Sequence, residues 1–197
     1  MKKTFLIIAI AIILPLVYLV ISNYNNIPRL DENVKEKWSQ VQNQYKRRAD
    51  LIPNLVSTVK GYAQHEKSTF TEVTEARSKV SQINVNAETL NNPAMLQQFA
   101  NAQSNLSSAL SKLMLIVERY PELKANKNFL ALQSQLEGTE NRITVARKDF
   151  IEAVRLYNLE LRTMPGRLVA ALVHPEAEVR ETFKASQAEQ EAPKVQF

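Results

Sequence analysis

Catalysis in a protein built from helices needs reactive side chains brought onto one face, and this chain offers few sets that qualify. His65-Glu66 has the opening of a zinc-protease HExxH helix, but position 69 is Thr where the second histidine would ligate. Glu137 and Glu140 are three apart, as in the carboxylate-rich helices of di-iron bundles. Such centres pair Glu-x-x-His motifs from facing helices, and neither His65 nor His174 completes one. With no cysteine there is no thiol nucleophile, disulfide or iron–sulfur ligand. Three glycines cannot build the loops of GxxxxGKS/T, GxGxxG or GxSxG. The chain reads as non-enzymatic, with no cofactor and no metal.

A second polar set asks a different question. Arg48, Asp50, Asn54, Glu118, Glu137, Glu140, Asn141, Arg142 and Arg147 lie on or beside apolar seams. Asp50 and Asn54 are four apart, as are Glu137 and Asn141, so each pair shares a helix face. Two readings stand. They form a network between helices that fixes register, or they are a surface that recognises a partner protein or a second copy of the chain.

The elements that must position these groups are helical. Leu30, Val34, Trp38, Val41, Tyr45, Ala49, Ile52, Val56, Val59 and Ala63 alternate threes and fours, and Phe70, Val73 and Val80 continue them. Only Glu66 and Arg77 interrupt the seam. One long helix from about Asp31 to Ile83 is expected, faulted at Pro53 and Gly61. Pro53 kinks it, because proline lacks the amide that would bond one turn back. The carbonyl left over, near Ala49, needs a side-chain donor. Asn84–Asn92 is a turn-rich break. Asn92 then caps a second helix with Pro93 at its first position, along Met95, Phe99, Ala102, Leu106, Leu110, Leu113, Val117 and Tyr120. Pro121 closes it. Asn126 caps a third, along Phe129, Leu132, Leu136, Thr139, Ile143, Ala146, Phe150, Val154, Tyr157, Leu161 and Met164, which ends at Pro165-Gly166. The fold class is all-α: an antiparallel up-and-down bundle of three long helices, the first kinked near Pro53, with a short helical segment over Leu168–Val173.

Before the bundle stands an apolar run with no charge, Phe5–Ile21, behind Lys2 and Lys3. Phe5, Leu6, Ile7, Ile8, Ile10, Ile12, Ile13, Leu14, Leu16, Val17, Leu19, Val20 and Ile21 are its anchoring side chains. At about 1.5 Å per residue it measures roughly 25 Å, which Thr4 and Ser22 extend towards a hydrocarbon core. It exceeds a signal-peptide core, and no Ala-x-Ala site follows. The compact lysine pair beside the span favours an N-terminus in the cytoplasm, and Arg29, Lys35 and Lys37 on the distal flank count the other way. The organisation expected is therefore a transmembrane anchor over 1–22, a bundle over 23–183 and a mobile tail over 184–197, ending in the apolar PKVQF. From Asn23 onward, 23 basic side chains face 20 acidic ones, too mild a surplus for nucleic acid.

Several long motifs resemble the LemA family of bacterial proteins: RRADLIPNLVSTVKGYAQHE (Arg47–Glu66), VTEAR (Val73–Arg77), ERYPELKANKNF (Glu118–Phe129) and LEGTENRITVAR (Leu136–Arg147), with Tyr157-Asn158 beyond them. The resemblance covers Tyr24 to Val173. It implies a membrane-anchored antiparallel bundle with no assigned enzymatic activity, an accessory to functions of the bacterial envelope. The expected function is an anchored scaffold of the plasma membrane, held in the lipid bilayer by its first helix, that self-associates or assists other envelope proteins. The alternative is a bundle acting on anionic lipid through Lys35, Lys37, Lys46, Arg47 and Arg48.

Overall fold

The computed structural model describes residues 2–83, Leu90 and 92–183. Within the first helix the side chains of residues 2, 3, 5, 6, 9, 12, 16, 19, 20, 22 and 23 lie outside that description. The break expected over Asn84–Asn92 falls largely outside the described residues, and the tail 184–197 with its PKVQF end falls wholly outside them.

Among the described residues all seven elements are helical: α1 Lys2–Tyr24, α2 Asn26–Tyr62, α3 Lys67–Gln82, α4 Pro93–Val117, α5 Pro121–Lys124, α6 Lys127–Arg162 and α7 Gly166–Val173. The backbone of the apolar run Phe5–Ile21 is helical throughout, inside the 23 residues of α1. Measured on the described residues alone, no helix is long and apolar enough to cross a membrane. Of the expected anchoring residues, Phe5, Leu6, Ile12, Leu16, Leu19 and Val20 have side chains outside the description.

The single long first helix expected over Asp31–Ile83 is two helices. The chain leaves α2 after Tyr62 and enters α3 at Lys67. Gly61, expected to be one of two faults with Pro53, stays inside α2, and a Cβ placed on it would meet nothing within 4 Å. The turn is made just beyond it, where the Glu66 amide bonds the Ala63 carbonyl at 3.1 Å. Glu66, one of the two polar interruptions of the seam, precedes α3 and pairs with Arg119 at 2.8 Å. At its other end α2 begins at Asn26, earlier than expected. Pro28 fits there because a first-turn amide has no helical acceptor to lose.

The caps follow the sequence. Asn92 Oδ1 accepts the amides of Ala94 (3.0 Å) and Met95 (3.2 Å) at the start of α4. Asn126 Oδ1 accepts those of Asn128 (2.9 Å) and Phe129 (3.0 Å) at the start of α6. The α4 seam is turned slightly from the expected one. Leu96, Gln103 and Ala109 are buried, and Met95, Ala102 and Leu110 are half-buried. After α6, Gly166 opens α7 against the Glu160 carbonyl oxygen, which a Cβ at that position would strike.

The chain divides into two compact units, Met1–Asn43 with Thr144–Arg180, and Gln44–Ile143 with Glu181–Phe197. In the first, Val34, Trp38 and Val41 of α2 and Phe150, Ala153, Val154 and Tyr157 of α6 are buried. The rings of Trp38 and Phe150 stand 5.3 Å apart and tilted. In the second, one apolar cluster draws on five helices: Ile52, Leu55 and Val59 of α2, Phe70 and Val73 of α3, Leu106 and Leu113 of α4, Leu123 of α5, and Phe129 and Leu136 of α6. Truncating such a leucine to alanine costs about 2–5 kcal/mol.

Candidate functional site

Arg48 is 2% exposed, and a buried guanidinium is tolerated only when its N–H groups are met. Nη1 donates to Glu140 Oε2 at 2.9 Å and to Ser107 Oγ at 3.0 Å. Nη2 donates to Gln103 Oε1, and at 3.4 Å to the Gln103 carbonyl. The Ser107 hydroxyl in turn donates a hydrogen bond to that carbonyl at 3.1 Å. One turn back on α2, the Tyr45 ring lies under the guanidinium at 5.2 Å, and the Phe99 ring meets Tyr45 edge-on at 5.2 Å. One cation thus ties α2 to α4 and α6. The pair with Glu140 is lopsided: the Arg48 side chain is 3% exposed and that of Glu140 is 55% exposed. Arg48 Nε and Gln103 Nε2 have no partner among the described residues.

A second arginine answers the proline. Pro53 leaves the Ala49 carbonyl without its donor from the next turn, and Arg77 Nε supplies one at 2.8 Å. Arg77, the other polar interruption of the seam, therefore repairs α2 from α3.

A third arginine, Arg180, lies beyond α7 and is 9% exposed. Its Nη2 meets Asp31 Oδ1, and its guanidinium stands over the Tyr157 ring at 5.4 Å. Asn158 clamps its backbone, donating Nδ2 to the Arg180 carbonyl (2.8 Å) and accepting the Arg180 amide at Oδ1 (2.9 Å). Burial, with the Asp31 carboxylate adding to it, pushes the Tyr157 phenol up from its ordinary value.

Of the polar set marked in the sequence, the structure brings together Arg48 and Glu140. Asp50, Asn54, Asn141 and Arg142 are exposed. Glu118 pairs locally with Lys124 at 2.5 Å, and Glu137 accepts from Gln133 at 2.9 Å. Arg147 is half-buried. The sequence reading missed Gln103, Ser107, Asp31 and Arg180. None of them left a signal in the spacing: the expected α4 seam passes through Ala102, the neighbour of Gln103.

Ser107 faces a cation, and a serine nucleophile needs a base. Among the described residues no group of three His, Asp or Glu is placed to hold a metal ion. An open groove of about 800 Å³ between α3 and α4 is lined by mixed polar groups, among them Glu72, Glu75, Lys79, Asn101 and Lys112, and the Lys112–Glu72 ion pair at 2.5 Å stands in its wall.

The family model described as "LemA family" matches residues 37–197, which hold all three arginines. The chain belongs to the LemA family. It is similar to the protein named Magnetosome protein MamQ 2 of Paramagnetospirillum magneticum, 23% identical over an alignment of 181 positions that covers 84% of this chain and 66% of that protein. It is similar also to Protein LemA of Metamycoplasma hominis, 25% identical over 170 residues, 86% of this chain and 74% of that one. A third relative, Magnetosome protein MamQ of Magnetospirillum gryphiswaldense, is 23% identical over 169 residues, with 62% of its length covered. The chain thus spans just under two thirds of the length of the magnetosome relatives it matches. The LemA match begins inside α2, so α1 stands outside it.

Proposed function

We propose that this LemA-family chain is a single-pass, membrane-anchored protein of the bacterial plasma membrane. Its body, an antiparallel helical bundle on the extracytoplasmic side, works without catalysis as a scaffold that binds copies of itself or other envelope proteins. One observation carries the anchor. Ile7, Ile8, Ile10, Ile13, Leu14, Val17 and Ile21 are all exposed on α1, between 47% and 67%. A helix that is apolar around its whole circumference is stable inside a protein core or inside lipid, and no core among the described residues covers these side chains. At about 1.5 Å per residue, 23 residues reach roughly 34 Å, enough to span. The magnetosome names of two relatives fit a role in an assembly but give this chain no partner.

The scaffold reading draws on the exposed polar set, Asp50, Asn54, Asn141 and Arg142. A direct action on anionic lipid through the basic positions of α2 is less supported. Arg48 is buried and occupied, and Lys37 faces Glu36 at 3.6 Å. The Glu32 and Asp31 carboxylates beside Lys35 hold its ammonium above the ordinary lysine range.

A photo-crosslinking residue at Asp50 or Arg142 of the full chain, in native membranes, tests the scaffold. We expect a discrete adduct, to a second copy or to an envelope protein, that Asn54→Lys abolishes without lowering the melting temperature. A chain that stays monomeric and yields no adduct from either position contradicts the proposal.

A further inference from the structure

The helix α7, Gly166–Val173, reads GRLVAALV, with Arg167 its only polar side chain. Its inward side is used: Val169 is 1% exposed. Its outward side is equally apolar and uncovered, with Leu168 and Leu172 one turn apart at 37% and 67% exposure and Met164 ahead of them at 73%. A helix that is apolar on both sides belongs in a fully apolar setting, and here the described residues supply only half of it.

Its place in the fold says what supplies the rest. α7 packs against α1. At its C-terminal end His174 Nε2 lies 3.1 Å from the Tyr24 carbonyl oxygen, and the two rings stand 5.4 Å apart. Tyr24 is three residues past Ile21, the last residue of the apolar run, or about 4.5 Å along a helix axis. If the run crosses the hydrocarbon, Tyr24 comes to rest at the headgroups, where tyrosine rings settle, and α7 is at that depth beside it. Short apolar helices at that level lie in the interface with their outer face some 5–10 Å below the headgroup boundary.

We infer that α7 is a second membrane contact: it lies in the bilayer interface at the distal end of α1, with Leu168 and Leu172 among the acyl chains and Arg167 at the lipid phosphates. The occupant of its outer face is lipid rather than protein, because the helix is tied to the very turn at which the anchor leaves the hydrocarbon. This rests on α1 being the anchor. It adds that the fold is held against the membrane at two points.

The chain has no cysteine, so single nitroxide labels can be placed cleanly. Leu172→Cys and, as a reference for the anchor, Ile13→Cys are labelled in the full chain. The protein is reconstituted into vesicles of phosphatidylglycerol and phosphatidylethanolamine. Accessibility to oxygen is compared with accessibility to a water-soluble nickel complex. We expect both labels to favour oxygen, with position 172 the shallower. Leu115→Cys, a 69% exposed site elsewhere, should favour nickel. If position 13 favours oxygen and position 172 favours nickel, α7 faces water and the inference falls while the anchor stands. If position 172 is shielded from both, a protein covers it and the inference falls. If position 13 itself favours nickel, the anchor reading fails and this one with it.

Discussion

Arg77 Nε donates to the Ala49 carbonyl at 2.8 Å, the acceptor that Pro53 strips of its helical partner. A proline within a long helix costs about 3 kcal/mol in isolation, through a lost bond and a clash with the carbonyl one turn back. Here the lost bond is remade from α3 by a contact that joins Ala49 and Arg77 across 28 residues of chain, so Pro53 and Arg77 act as one unit.

Arg77→Met should therefore cost about 1–3 kcal/mol, the range for stranding a buried acceptor. In a Pro53→Ala background, residue 53 regains an amide for Ala49, and the same change should cost clearly less. Thermal unfolding of the four proteins in detergent gives the cycle. Additive effects would mean that the two residues are not coupled.

Arg48 predicts an uneven set of mutants. Arg48→Ala leaves Gln103 and Ser107 unanswered inside the fold and should cost about 3–5 kcal/mol. Glu140→Gln keeps an acceptor for Nη1 but takes the counter-charge from the buried guanidinium, and should cost less, about 1–3 kcal/mol. Asp50→Ala, on an exposed position, should stay within about 0.5 kcal/mol. Melting temperatures rank the three. An Asp50→Ala effect as large as that of Arg48→Ala would put the network elsewhere.

Asn158→Ala removes both bonds that hold the Arg180 backbone. The expected loss is about 1–3 kcal/mol, concentrated after α7 rather than spread over the fold. Amide hydrogen exchange should rise at Val179–Thr182 and stay unchanged in α3 and α4. A uniform rise would show that the clamp supports global stability instead.

Tyr157 sets a limit at high pH. Burial raises its phenol above the ordinary value of 10.0, so the folded chain holds that proton more tightly than the unfolded one. The stability it contributes is fully present below about pH 10. It is lost as pH climbs from there through the folded-state value. Tyr157→Phe should flatten the fall in melting temperature over that window. A variant that keeps the same slope would assign the loss to another group.

Much of this fold was legible because helix ends and seams are local. Asn92 and Asn126 announce α4 and α6 by their place before the first apolar residue, and Pro53 announces an unmet carbonyl at Ala49 before any donor is known. The α2–α3 break escaped detection because the seam's period runs straight through it. Glu66 sits in phase with its neighbours, and only its partner Arg119, 53 residues away, explains a charge there. The buried polar groups escaped for the same reason. Gln103 is inside because Arg48 needs an acceptor, and Arg180 is inside because Asp31, 149 residues earlier, receives it. Burial of a charge is decided by its partner, and partners at such separations leave no spacing to read.

The central claim, that α1 crosses the bilayer, is tested most directly by labelling from one side. Lys3→Cys and Asp50→Cys, made singly in the full chain, are exposed to a membrane-impermeant maleimide on intact spheroplasts and again after lysis. The account predicts that Asp50→Cys reacts on intact cells and Lys3→Cys only after lysis. Reaction of both positions from the same side would show that α1 does not span the membrane.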